Sequence, residues 1–183
     1  MSTDGNQALK PYRVLDLTDE KGHLCGKIFA DLGAEVIKIE PPEGDSARRK
    51  SPGSLFWMAY NTGKKSVTLD ISKKEDEDKL LMLVKSADFL IESFSPGYLK
   101  SIGLEYSALE KINPGLIMAS ITPFGQTGPR ANWKCPDLIC WAMGGYMWMT
   151  GEPKRAPLRI SHTPQAFLHA SAIAAAGCLM AYS

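Results

Sequence analysis

The sequence predicts an α/β protein with a Rossmann-like parallel sheet and helices on both of its faces. Two observations carry that expectation. Short β-branched runs alternate with stretches of helical character from residue 12 to residue 124, and glycine, proline and charge gather where the short runs end. No internal repeat or low-complexity tract competes with this reading.

The elements follow in order. YRVLDLT (12–18) mixes Val and Leu with a polar end and reads as a strand; the glycines of KGHLCG (21–26) and an apolar helical run to Leu32 follow it. Gly33 closes that helix, and AEVIKIE (34–40) fits a buried parallel strand, which completes a βαβ unit. Residues 41–63 carry Pro, Gly and charge without a period, so a long loop with an apolar middle is expected there. SVTLDI (66–71) alternates as a strand, and SKKEDEDKLLMLVKSA (72–87) is an amphipathic helix with Ser72 as N-cap ahead of Leu80, Leu81 and Val84. DFLIES (88–93) is again a strand, residues 95–113 give two short helices broken at Gly103, and GLIMASITPF (115–124) is a closing strand. In such a sheet ligands lie beyond the carboxyl ends of the strands, here Thr18–Gly22, Glu40–Pro42, Glu92–Pro96 and Thr122–Pro129. Residues 163–183 form a helix rich in alanine on several faces, which implies cover from more chain or another subunit.

Length and composition narrow the function classes. With 183 residues, 44% hydrophobic and 22% charged, the chain suits one globular domain and excludes disorder as the dominant state. Its 21 Lys+Arg and 20 Asp+Glu leave a formal charge of +1, so no long-range field draws nucleic acid or anionic lipid, and an anionic ligand must meet a local basic pocket. The four cysteines show no CxxC pair and read as reduced thiols. Lys, Glu and Pro are expected to break every apolar stretch short of a membrane span, and MSTDGNQALKPYR lacks a signal sequence, which points to the cytoplasm. Residues 1–11 are expected to be a flexible N-terminus, and 12–183 a single domain.

Several constellations bear on chemistry. The turn DLTDEKGHLCGK lacks the GxGxxG fingerprint, so a nicotinamide or flavin site is not supported. Lys64 and Lys65, behind Asn61-Thr62-Gly63, read either as a phosphate contact or as a solvated charge pair. FGQTGPRANWKCPD (124–137) offers Arg130 and Lys134 behind close-packing glycines, as phosphate ligands or as surface charges on a tight turn. Met147, Trp148 and Met149 favour core packing over an apolar acyl pocket. His23, His162 and His169 lack metal-ligand spacing, and no GxSxG elbow supports serine hydrolysis.

Six blocks, in order, carry a resemblance: VLDLT, FADLGAEVIKIEPPEGDSAR, FWMAYNTGKKSVTLDI, LIESFSPGYLKSIGL, NPGLIMASITPFGQTGPRANWKCPD and WAMGGYMWMTGEP. Together they resemble the N-terminal half of the family III CoA-transferases, which include formyl-CoA transferase, the carnitine CoA-transferases and, as a cousin, α-methylacyl-CoA racemase. The resemblance implies a Rossmann-like domain within a larger interlocked-dimer fold, homo- or heterodimeric, and incomplete at the C-terminus of this chain. It implies transfer of CoA between an acyl-CoA and a carboxylic acid, with CoA as substrate and no metal, nicotinamide or flavin. CoA would meet Lys64, Ser93, Phe94 and Lys134 on its adenine and phosphate side, while Glu20, Lys21 and Gly22 would border the thioester. A basic family residue after the SPG turn is replaced by Ser101, with Lys100 beside it.

The catalytic position departs from the family. Family transferases attack the thioester with an aspartate at the start of the helix after TGEP, forming an acyl-aspartyl anhydride. By the resemblance that position holds Gln165, an amide that cannot form the anhydride productively. The racemase bases are also missing, at Pro136 and Gln165. Three readings stand at this point: a transferase or a subunit of one whose carboxylate comes from elsewhere; a non-catalytic CoA-binding scaffold or remnant; and an acyl-CoA lyase or hydratase with Glu20 or His169 as base.

Overall fold

The computed structural model describes residues 7–49, 53–159 and 161–183. Among them the strands β1 (Arg13–Leu17), β2 (Glu35–Glu40), β3 (Lys65–Thr68), β4 (Phe89–Glu92) and β5 (Ile117–Ser120) form one sheet, all in parallel, in the order β3-β2-β1-β4-β5. The helices are α1 (His23–Asp31), α2 (Ser46–Arg49), α3 (Gly53–Asn61), α4 (Lys74–Val84), α5 (Tyr98–Ser101), α6 (Tyr106–Leu109), α7 (Asp137–Met143) and α8 (Gln165–Tyr182).

Each face of the sheet has its own core, because successive strand residues point to opposite sides. Leu15, Leu17, Ile39 and Leu90 pack with Leu80 and Val84 of α4, Leu99 of α5 and Leu109 of α6. On the other face Val14, Val36, Phe89 and Ile91 pack with Cys25 and Phe29 of α1 and with Ala175 and Cys178 of α8. The expected helices on both faces are therefore present. The strand order reverses between β1 and β4, and a crevice opens there at their carboxyl ends.

Several expectations are corrected. The 41–63 stretch is not a loop: α2 and α3 occupy most of it, while residues 50–52 lie outside the described residues. The aromatic run hid a helical period, since Phe56 and Tyr60 stack one turn apart at 4.6 Å and Asn61 Nδ2 donates to the Trp57 carbonyl at 3.1 Å. Ser72 does not cap α4; Lys73 stands at that position, and Ser72 Oγ donates instead to Asp70 at 2.6 Å. The expected flexible stretch 1–11 is narrower, because Leu9 is buried in the α1 face of the core and its N–H donates to the Leu32 carbonyl at 3.0 Å; residues 1–6 lie outside the described residues. Trp148 and Met149 are 90% and 71% exposed, so the Met147–Met149 stretch is not core packing.

The charge-free run of α8 is also longer than expected, and by length and composition alone it could cross a membrane. Its inner stripe of Phe167, Ser171, Ala175 and Cys178, spaced by a helical turn, lies buried, and the helix packs on α1, α7 and β5. Ile173 and Met180 on its outer side are 72% and 76% exposed.

Candidate functional site

The carboxyl ends of β1 and β2 rest on a buried ionic cluster. Asp16, wholly buried in β1, accepts the Thr18 N–H at 3.0 Å and the Thr18 hydroxyl at 2.7 Å on Oδ1, and the Lys64 ammonium at 2.8 Å on Oδ2. Lys38 Nζ donates to the Thr18 carbonyl and stands 3.5 Å from both Asp16 and Asp45. His23 Nε2 pairs with Asp45 at 3.0 Å. Two carboxylates thus face two ammonium groups, as burial of charge requires. Gly26 of α1 makes the cluster possible, since a Cβ there would run into Asp16 Oδ2.

The charges are tuned accordingly. Burial opposes ionisation of Asp16, but the charges of Lys38 and Lys64 outweigh it and hold the carboxyl well below its usual range. Burial likewise opposes ionisation of Asp45, and the hydrogen bond and charge of His23 bring it down to about 2. Burial lowers the pKa of His23, and it also lowers that of Lys64 against the pull of Asp16. At the rim, Glu40 takes a bidentate Arg48 at 2.6 and 2.7 Å, and Arg48 lies over the Trp57 ring at 3.9 Å.

Beyond this cluster lie two adjoining cavities, of about 790 Å³ and 350 Å³, which share Lys21, Ser93, Phe94 and Ser95 and so form one groove along the strand ends. Ser93 at the end of β4 ties the groove floor to the β1 loop: its Oγ accepts the Asp19 N–H and donates to Asp19 Oδ1, both at 2.8 Å. Lys21 pairs with Asp19, and its carbonyl accepts the Ser171 hydroxyl of α8 at 2.9 Å.

Of the residues expected in the site, Glu20, Lys21, Ser93, Phe94 and Lys134 all line the smaller cavity. Three do not. Lys64 is not a solvated charge and lines neither cavity: its side chain is 1% exposed, and Nζ donates to Asp16, the His23 carbonyl and Asn61 Oδ1, each at 2.8 Å. Gly22 is buried against Thr18, where a side chain would collide, so it serves packing. Gln165 opens α8 but turns to Thr163 Oγ1 at 2.6 Å and Ser161 at 3.4 Å; the α8 side chain that lines the smaller cavity is Phe167. Arg130 leans on Trp133 at 5.3 Å, and His169 is exposed, with Nδ1 2.8 Å from the Gln165 carbonyl and outside both cavities.

Asp137 was missed by the sequence reading. Its Oδ1 accepts the N–H groups of Ala166 and Phe167 at 2.8 and 3.2 Å, so a buried carboxylate from the start of α7 fills the N-terminus of α8. The signal was faint: an Asp after Pro at a helix start, with its partner thirty residues away. Among the described residues no group of three or more His, Cys, Asp or Glu is arranged to hold a metal ion.

The groove at the switch point can now be compared with known proteins. The chain is 39% identical over 184 residues to the succinyl-CoA:(R)-benzylsuccinate CoA-transferase subunit BbsE of Thauera aromatica, covering 96% of this chain and 45% of that protein. It is 43% identical over 156 residues to the acetyl-CoA:oxalate CoA-transferase of Acetobacter aceti, covering 82% and 40%. The crystal structure of a CaiB/BaiF family protein from Brucella suis superposes with a TM-score of 0.90 at 38% identity, over 95% of this chain and 48% of that one. The chain thus spans about half the length of the relatives it matches. The family model for CoA-transferase family III matches residues 9–183, and the chain belongs to that family.

Proposed function

We propose that this chain is the CoA-binding portion of a family III CoA-transferase subunit, acting where CoA passes between an acyl-CoA and a carboxylic acid, and that the carboxylate that attacks the thioester and is acylated belongs to another chain. The observation that carries the reading is the smaller cavity itself. It has the lysine cation of Lys134 on its rim and the loop Glu20–Lys21 on its floor, while the helix start that bears the family nucleophile presents Phe167. A phenyl ring has no oxygen to acylate, and Gln165, bonded to Thr163, lines neither cavity. The relative from Thauera aromatica is named as a subunit of its CoA-transferase, which supports an assembly of chains. The active form on this reading is a heteromer with a carboxylate-bearing chain, in the cytoplasm; a homodimer is compatible with the second reading below.

One observation favours a second reading. Glu20 is the carboxylate that lines the smaller cavity. As a relocated nucleophile its Oε would attack the thioester carbonyl, expel the CoA thiolate and leave an acyl-glutamyl anhydride. Calorimetry with CoA tests the binding claim: Lys134→Ala is expected to weaken binding, and equal affinity in wild type and variant would refute it. Peptide mapping after incubation with acyl-CoA separates the two readings, since only the second leaves an acyl group on Glu20.

A further inference from the structure

Two cysteines that the sequence shows five positions apart come together at the wall of the groove. Cys135 ends the loop that carries Lys134, and Cys140 lies in α7. Their Sγ atoms are 3.1 Å apart, about 1 Å more than a disulfide bond. The Cys140 thiol also donates to the Cys135 carbonyl at 3.8 Å. Cys135 lines the smaller cavity beside Lys134. Cys135 is itself buried, at 8% exposed, and Cys140 half-buried, but Cys25 and Cys178 differ in lying in the core between α1 and α8, away from the groove.

We propose that Cys135 and Cys140 form a redox-active dithiol, a thiol–disulfide exchange site for low-molecular-weight disulfides that enter the groove. The two thiols already lie on one side of a helix start, so closure needs a short approach of sulfur atoms and no rearrangement of the fold. Their roles differ by position. Burial, with the hydrogen bond to Cys135, pushes the Cys140 thiol up to about 12, so it remains protonated at neutral pH. Cys135 is the sulfur that a reagent in the cavity meets.

The exchange has two steps. The Cys135 thiolate attacks one sulfur of RS–SR; that S–S bond breaks, a mixed disulfide Cys135–S–S–R forms and RS⁻ leaves. Cys140 then attacks the Cys135 sulfur, giving up its proton to the departing second RS⁻. The protein dithiol loses two electrons and two protons, and one RS–SR becomes two RSH. The new bond would bracket Pro136 and Asp137, the residue that holds the N-terminus of α8.

The test uses oxidised glutathione on the folded protein, followed by alkylation with N-ethylmaleimide in denaturant, which reaches all four cysteines, and intact mass measurement. Wild type is expected to lose two hydrogens and two alkylatable thiols, with the cross-link mapped to the peptide holding Cys135 and Cys140, and dithiothreitol should reverse it. Cys140→Ser is expected to stop at one glutathionyl group on Cys135, and Cys135→Ser to react about tenfold more slowly or not at all. A wild-type protein that keeps four alkylatable thiols overturns the proposal, as does a cross-link between Cys25 and Cys178 or a Cys135→Ser variant that reacts at the wild-type rate. The wild-type mass and peptide map decide the matter even if a variant folds poorly.

Discussion

The two walls of the groove are built on opposite plans. On the sheet side, Thr18, Asp19 and Lys21 are held by hydrogen bonds of 2.7 to 3.0 Å to Asp16, Ser93 and Asp19 respectively, Lys38 holds the Thr18 carbonyl, and the charges of Asp16 and Lys38 are out of water. On the side of α7 and α8, Trp133 of the smaller cavity stands exposed, as do Tyr146, Trp148 and Met149 outside both cavities, and residues 151–159 of the loop to α8 are open to solvent. The first wall is preorganised by its own chain. The second shows apolar surface of the kind that a partner or further chain covers. Binding of an anionic ligand then divides into a rigid floor and a wall whose final form depends on assembly.

Breaking the floor should have the largest effect. Asp16→Ala leaves Lys38 and Lys64 as buried ammonium groups without their central anion, and a loss of about 3 to 5 kcal/mol in urea unfolding is expected. Adding Lys64→Met to that variant should recover part of the loss, because it removes one of the stranded charges. A change below about 1 kcal/mol for Asp16→Ala would contradict the preorganised floor. On the opposite wall, Lys134→Ala should leave stability within about 0.5 kcal/mol of wild type. It should weaken CoA binding roughly ten- to a hundredfold and lessen its salt dependence, as loss of one charge-assisted contact of about 1.5 to 3 kcal/mol would. That contrast separates the two lysines, one inside the fold and one on the groove.

Acid sharpens the comparison further. Asp45 and Glu40 are held at about 2, Asp45 by His23 and Lys38 and Glu40 by Arg48 and Ser66, in each case against the opposing effect of burial. Their folded pKa values lie below the unfolded ones, so the unfolded chain binds more protons and stability present above about pH 4 is lost as pH falls toward 2. The lowered pKa of His23 acts in the same direction below about pH 6.5. Glu92 runs the other way, because burial raises its pKa. Its ionisation therefore costs stability above about pH 4.5, and Glu92→Gln should reduce that cost while its amide oxygen still accepts the Phe94 N–H. Urea unfolding from pH 7 to pH 3 should show a steady fall for wild type; a flat profile would refute the linkage. The smallest effect is expected on the outer face of α8, where Ile173→Glu should lower self-association in light scattering without changing the unfolding midpoint.

The same contrast explains what could be read in advance. Strands such as AEVIKIE are legible because β-branched residues at period two, bounded by Gly33 and Pro41, leave few alternatives, and the switch-point groove follows from their alternation with helices. Ser93, Phe94 and Lys134 were expected through the motif blocks that hold them, and Glu20 and Lys21 through the loop that follows VLDLT; all five line the smaller cavity. The placement of Lys64 was not legible: a lysine beside a glycine turn looks solvent-facing, and only the fold reveals that Asp16, forty-eight residues earlier, draws its ammonium inward. The register of α8 was equally hidden. With alanine on several faces its hydrophobic pattern is nearly uniform, so no period shows that Phe167 rather than Gln165 faces the groove. The Cys135–Cys140 approach depends on the start of α7, which loop-like composition concealed.

The central claim is that this chain supplies the CoA groove but not the acylated carboxylate. Its most direct test is acylation of the fully assembled enzyme with labelled acyl-CoA, followed by hydroxylamine release and mapping of the labelled peptide. The account predicts a hydroxylamine-sensitive label on the partner chain and none on this one, and it predicts that Phe167→Asp, at the groove face of the α8 start, gains a label on this chain whereas Gln165→Asp does not. A label on the unmodified chain itself, at Glu20 or any other residue, would contradict it.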